Sequence, residues 1–190
     1  MNIHNHFPIA ILEHQIDTEL ADTIEQRLLE HINTLPSRES FKGDVATDFF
    51  SEHRVDIFTL LPELIDEFCN AKKVYQEVTS FIVSDTITFW MQDYRSPTGI
   101  HTKHQHGING ISGIYWVRAN EQAGPLTFHN PNLILDYVSA EQLDNPYRSI
   151  ANSYQPTKGT ILLFPSYLQH EVQPSQEGVI RTTIAFNFLP

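Results

Sequence analysis

The chain has 190 residues, of which 12 are Lys or Arg and 23 Asp or Glu, for a formal charge of −11 and a single cysteine. That balance, with no basic run anywhere, argues against a nucleic-acid surface, which needs clustered cations to face phosphates; one cysteine excludes an internal disulfide. The length fits a single domain, 1–190, able to bury about 70% of its unfolded surface. The opening residues Met1 to His6 lack a basic stretch, and Phe7 to Leu12 is too short an apolar run for a signal peptide or a bilayer span. A soluble, cytoplasmic protein without a membrane partner is the expectation.

Two helices are predicted in the first half. Between Asp17 and Leu35, Leu20, Ile24, Leu28 and Ile32 recur every four positions, with Asp17 or Thr18 as N-cap and Pro36-Ser37 as the stop. From Leu61 to about Phe81, the positions Leu61, Leu64, Ile65, Phe68, Val74, Tyr75 and Val78 form a second stripe, and Pro62 suits the first turn. Cys69 lies in this helix and reads as a small packing residue rather than a nucleophile.

After Ser84 the pattern changes to short β-rich runs. Thr86–Met91, Ile111–Val117, Leu126–His129, Thr160–Phe164, Leu168–Val172 and Val179–Phe188 read as strands. Between them lie turn signals such as Ser96-Pro97-Thr98-Gly99, Gly124-Pro125, Asn130-Pro131 and Lys158-Gly159. Helices followed by many turn-separated strands predict a mainly β fold, a double-sheet jelly-roll barrel (core about 84–190) with helical support from residues 1–83.

The chemistry concentrates in the β half. His104-Gln105-His106 places two imidazoles on one face of an extended strand, where they can bind one metal ion. His170 follows the strand Gly159–Phe164 and its Pro165-Ser166 turn, so a rigid element delivers it. Imidazole suits Zn, Cu, Fe and Ni alike, and a His-x-His pair is equally compatible with structural zinc or with two solvated side chains. No acid occurs between Tyr94 and Val117, so a His-x-Asp ligand pair is not available. His4, His6, His14, His31 and His53 have no partner spacing and read as non-functional. His129 and His101 lie near the site, but His101 would face away from His104 on an extended path. Arg181 stands alone in an almost uncharged strand and needs an anion, because a desolvated unpaired charge is costly. Thr183 shares its face, and bidentate binding of a carboxylate is the natural use of such an arginine; a salt bridge to an internal acid is the alternative.

These residues resemble the iron(II)- and 2-oxoglutarate-dependent dioxygenase superfamily, and within it the 2OG-Fe(II) oxygenase family with an H-x-H-P…S-G-[VI]-Y-Y block. The corresponding run here is His104 to Trp116. A second block, Gly159 to Asn187, matches in Phe164-Pro165-Ser166, His170-Glu171-Val172-Gln173-Pro174, Arg181-Thr182-Thr183 and Phe186-Asn187. The resemblance covers Thr88 to Asn187. It implies a double-stranded β-helix, a cupin-like barrel with the metal in one mouth. It implies Fe(II) on His104, His170 and His106, with His106 where most members carry Asp or Glu. It also implies that Arg181 and Thr183 hold the far carboxylate of 2-oxoglutarate, that Tyr94 contacts this cosubstrate, and that Ser112 faces the pocket. The implied reaction uses O2 and 2-oxoglutarate to hydroxylate a C–H bond of an unidentified small molecule or protein side chain, with release of succinate and CO2 and no side-chain general base. Gly107 replaces a usual proline, Asn109 a serine and Trp116 a tyrosine, the last expected to narrow the pocket. A neutral three-histidine set keeps the full charge of the metal, which leaves two other readings open. One is a three-histidine cupin-like dioxygenase that does not use 2-oxoglutarate; the other is a non-catalytic jelly-roll binding module.

Overall fold

Asp17 starts the first helix as expected: its Oδ1 accepts the backbone N–H groups of Glu19 and Leu20, at 2.9 and 3.2 Å, which satisfies two of the donors a helix start leaves open. The computed structural model describes residues 8–36, 44–52, 54–132 and 149–190; His4, His6 and His53 lie outside them. Helix α1 (Thr18–Thr34) buries Ala21, Ile24, Leu28 and Ile32. A single turn, α2 (Ile57–Leu60), was not anticipated.

Helix α3 (Pro62–Thr79) begins with Pro62 in its first turn and ends at Ser80, in the left-handed region at φ 57°. Its buried face runs Leu64, Phe68, Ala71, Lys72, Tyr75. Two expectations fail here. Val74 and Val78 point to solvent, Val78 at 77% exposure, because the face set by Leu64 and Phe68 continues through 71 and 75 at helical spacing and leaves 74 and 78 a step out of phase. Cys69, one position past Phe68, is likewise exposed and lies off the buried face. Lys72 is tolerated inside because its Nζ reaches Asp85 and lies 4.8 Å above the Phe188 ring. Among the described residues no helix is long and apolar enough to cross a membrane.

The described residues form ten strands: β1 (Leu12–Gln15), β2 (Val45–Thr47), β3 (Ile87–Tyr94), β4 (His101–His104), β5 (Ile111–Ala119), β6 (Leu126–His129), β7 (Ala151–Tyr154), β8 (Thr160–Pro165), β9 (His170–Val172) and β10 (Arg181–Phe188). They form a six-stranded sheet in the order β1-β8-β5-β10-β3-β2 and a four-stranded sheet in the order β4-β9-β6-β7, with antiparallel pairings throughout.

The large sheet is covered on both faces, which is why β5 and β8 read as continuous apolar runs. On one face Tyr115, Val117, Ile184 and Phe186 meet the helices, with Phe68 stacked on Phe186 at 3.9 Å between ring centres. On the other, Tyr94, Ile114, Trp116, Leu162 and Phe164 meet Leu126, Phe128, Leu168 and Val172, from the small sheet and the turn that leads into it. Two facing antiparallel sheets with helices on the outer face of the larger one are the expected jelly-roll architecture. Its interior, between the sheets, is where the chemistry-bearing side chains converge.

Candidate metal centre and the buried arginine

His104 ends β4 and His170 begins β9, and the two stand directly opposite in register. His106 lies just beyond β4. Its backbone N–H donates to Ser166 O at 2.9 Å, and the chain then turns at Gly107 with φ 124°, a conformation closed to the proline expected there. One ligand atom from each of His104, His106 and His170 lies within 4.8 Å of the others.

The far nitrogens fix the tautomers. His104 Nδ1 faces Thr102 O at 2.7 Å, His170 Nδ1 faces Leu168 O at 2.9 Å, and His106 Nδ1 faces Asn187 Oδ1 at 2.8 Å. A carbonyl oxygen only accepts, so each Nδ1 carries the proton and each Nε2 presents a lone pair. His104 Nε2 and His106 Nε2 are 3.1 Å apart. Two lone pairs that close repel unless a cation sits between them. Burial disfavours imidazolium: it draws His170 down to about 3 and holds His104 and His106 below the ordinary histidine range. Three neutral, tautomer-fixed imidazoles are therefore a donor set suited to a divalent metal ion. Among the described residues no carboxylate joins the cluster.

Ser112 is buried beside His106. Its Oγ lies 3.1 Å from His106 Nδ1, 2.8 Å from Ser166 Oγ and 2.7 Å from Asn187 Oδ1, so its hydroxyl is engaged in holding His106. Asn187 was visible only as part of a motif; period-two alternation from Arg181 and Thr183 leads to it. His101 departs from expectation. A register shift between His101 and His104 in the β4–β9 pairing breaks the alternation, and the His101 ring stacks on His104 at 3.9 Å between centres. Burial and the neighbouring imidazoles pull it to about 3. His129 stands apart, with Nε2 3.1 Å from Glu171 Oε1, and His14 pairs with Glu67.

Arg181 is 0% exposed. One guanidinium nitrogen, Nη1, donates to Gly124 O, and the group lies 4.8 Å from the centre of the Tyr94 ring. Among the described residues Nε and Nη2 have no hydrogen-bond partner, and no carboxylate pairs with Arg181. The nearby acid, Asp93, is instead held by Arg95, Arg118 and Thr182. Among the described residues, then, the salt-bridge alternative is not realised. Thr183 Oγ1, Gln92 Nε2 and Trp116 Nε1 are also buried without partners among the described residues. Register relates them: Arg181 stands opposite Tyr94, and Thr183 stands opposite both Gln92 and Trp116. Burial pushes Tyr94 up to about 12, so its hydroxyl stays protonated; it donates weakly to Gln92 Oε1 at 3.4 Å.

Comparisons with known proteins point the same way. The family described as "Putative 2OG-Fe(II) oxygenase" matches residues 88–187, a span that contains every residue of the two clusters. The structure is similar to a prolyl-4-hydroxylase of Pseudomonas putida, with a TM-score of 0.64 and 13% identity over 95% of this chain and 92% of that one. It is also similar to a prolyl hydroxylase of Trichoplax adhaerens in complex with a peptide fragment of the hypoxia inducible factor oxygen degradation domain (TM-score 0.61, 14% identity, 95% and 83% covered). A 2OG-Fe(II) oxygenase family oxidoreductase of Burkholderia pseudomallei follows at a TM-score of 0.55, 13% identity, 86% and 77% covered. At such identities the likeness is one of fold, the double-stranded β-helix. Among curated proteins none matches the chain.

Proposed function

The chain belongs to the 2OG-Fe(II) oxygenase family, and on that premise we propose that it is a non-haem Fe(II)- and 2-oxoglutarate-dependent dioxygenase that hydroxylates a C–H bond. The observation that carries this reading is the pairing of two features in one interior. Three imidazoles present converging lone pairs, and a fully buried guanidinium lacks any acidic partner among the described residues. His104, His106 and His170 would hold Fe(II) through Nε2. Arg181 and Thr183 would receive the far carboxylate of 2-oxoglutarate, with the Tyr94 hydroxyl beside them.

When bound, the metal and its cosubstrate supply the oxidising power, 2-oxoglutarate giving succinate and CO2 as O2 is consumed. The protein's part is placement and exclusion of water. Thr102 O, Leu168 O and Asn187 Oδ1 keep the imidazoles in one tautomer and orientation. Arg181, immobilised on Gly124 O and Tyr94, is preorganised for a carboxylate and loses little freedom on binding it. No side chain is needed as a general base.

The substrate's approach is assigned to the aromatic side of the cluster. Trp90 lies 5.6 Å from the His106 ring, Phe49 packs edge-on against Trp90, and Phe50 against Phe49. The half-exposed end of this series offers an apolar surface to a small molecule or to a peptide side chain, the latter in keeping with the peptide bound by the Trichoplax neighbour.

Anaerobic titration of the Fe(II) protein with 2-oxoglutarate tests the reading: chelation gives a visible charge-transfer band, and admission of O2 releases succinate. Arg181→Ala is expected to abolish both at ordinary cosubstrate concentrations; unchanged turnover in that variant defeats the assignment. The carboxylate-free donor set favours one second reading, a three-histidine dioxygenase whose own substrate chelates the metal and whose carboxylate Arg181 binds. No band with 2-oxoglutarate, but oxygen uptake with another chelating acid, would mark it. Bound zinc with no turnover after Fe(II) loading would instead mark a binding module.

A further inference from the structure

The large sheet carries a row of donors that extends beyond the Arg181–Thr183 pair. Gln92, Thr183 and Trp116 stand side by side on β3, β10 and β5, matched in register across the three strands, so their side chains share the inward face with adjacent Cβ atoms about 5 Å apart. All three are nearly inaccessible, Trp116 at 1% and Gln92 at 3% exposure. Among the described residues Gln92 Nε2, Thr183 Oγ1 and Trp116 Nε1 have no acceptor, and neither do Nε and Nη2 of Arg181, one row along the sheet. A buried donor without an acceptor costs about 1–3 kcal/mol, so a group of such donors on adjacent rows is not a neutral feature of packing. The indole N–H is donor-only and the guanidinium is donor-only. Tyr94 is held protonated and donates toward Gln92 Oε1, which leaves the Gln92 amide N–H groups as the free end of that side chain. The set offers hydrogens and a positive charge, and is matched by a ligand that offers only acceptors and a negative charge.

We infer that Trp116 and Gln92, neither of them part of the Arg181–Thr183 pair, complete the receptor for the cosubstrate's far carboxylate: the indole N–H and the amide N–H donate to the carboxylate that the guanidinium neutralises. The inference rests on the reading of the site as a 2-oxoglutarate site. It gives the Trp-for-Tyr departure a function, because an indole keeps a donor at this position and fills more of the interior. A 2-oxo acid without the second carboxylate leaves the whole row unsatisfied and is rejected.

The protein has two tryptophans, which makes the test direct. The Zn(II)-loaded, 15N-labelled protein is inert to O2 and gives two indole N–H signals, assigned with Trp116→Phe or, if that variant does not fold, with Trp90→Phe. On titration with 2-oxoglutarate the Trp116 signal is expected to shift saturably, and 2-oxobutyrate is expected to leave it in place. Trp116→Phe and Gln92→Met, each checked for an unchanged circular dichroism spectrum, are expected to weaken 2-oxoglutarate binding about tenfold or more, the effect of losing one hydrogen bond to a charged group. Saturable 2-oxoglutarate binding with a stationary Trp116 signal, or with undiminished affinity in both variants, overturns the inference and leaves the proposed function standing. Failure of the unaltered protein to bind 2-oxoglutarate removes both.

Discussion

Asn187 Oδ1 sits 2.8 Å from Nδ1 of His106 and 2.7 Å from the hydroxyl of Ser112, so one amide oxygen on β10 decides which nitrogen of His106 faces the cluster. Replacement by leucine removes the acceptor and frees the ring to flip or to change tautomer. Asn187→Leu is expected to lower affinity for Fe(II) or Zn(II) about 10- to 100-fold, as loss of such outer partners usually does. Asn187→Asp, which still accepts, should retain most of it. Calorimetric metal titration of the apo-protein measures both, and equal affinity in the leucine variant and the parent would show that His106 does not need this oxygen.

Metal binding should be readable as stability. A ligand held only by the folded state adds RT ln(1 + [L]/Kd), about 4 kcal/mol at a thousandfold excess over Kd. Zn(II) is expected to raise the melting temperature of the apo-protein, EDTA to reverse the rise, and His104→Ala or His170→Ala to abolish it. His129→Ala, at an imidazole that pairs with Glu171, should leave the metal-dependent rise intact.

Acid should destabilise the metal-free protein in a defined window. His101 and His170 are drawn to about 3 in the fold, and His104 and His106 lie below their ordinary value, whereas the unfolded chain binds a proton at each near pH 6.5. The unfolded state thus holds more protons below that pH. Stability is full above about 6.5 and falls as the pH drops toward 3, by up to about 1.4 kcal/mol per pH unit for each imidazole. Urea unfolding in EDTA across that range measures the slope; a flat profile would mean that these rings are not buried neutral.

The helix-facing side of the large sheet should be sensitive where it is tight and indifferent where it is open. A Cβ at Gly113 would stand 2.2 Å from the Phe186 ring, so Gly113→Ala displaces the ring that Phe68 stacks on and is expected to cost about 1–3 kcal/mol. Phe68→Ala should cost about 3–5 kcal/mol. Val78→Ala and Cys69→Ser, both at exposed positions, should stay within about 0.5 kcal/mol. Denaturation midpoints for the four variants decide the ranking.

Legibility in the sequence followed how locally each feature is determined. Helix α1 was readable to within a residue because Asp17 and Pro36 punctuate it, and β5 and β8 because both their faces are apolar. Strands β1 and β7 were not readable: Leu-Glu-His-Gln and Ala-Asn-Ser-Tyr carry no pattern of their own and are extended because an adjacent strand pairs with them. Val74 and Val78 lie outside the apolar stripe because the face of α3 is fixed by what Leu64 and Phe68 touch. The three clustered histidines and the isolated arginine were readable from spacing and from the cost of a lone charge. His101 stacks on His104 because the β4–β9 pairing is irregular, which strict alternation does not show, and nothing in the sequence around Gln92 shows that a barrel wall will seal it.

Strand β10 bears Arg181 at one end and Asn187 at the other, on the same inward face. Six residues of extended chain separate them by about 20 Å, so a single rigid rod gauges the distance between the anion receptor and the support of His106. Its side chains all reverse sides if the pairing slips by one position. A slipped strand would therefore lose Arg181, Thr183 and Asn187 from the interior together, while exposing Ile184, Phe186 and Phe188 to water. The apolar face turned toward the helices thus acts as a proofreader for the polar face turned toward the metal.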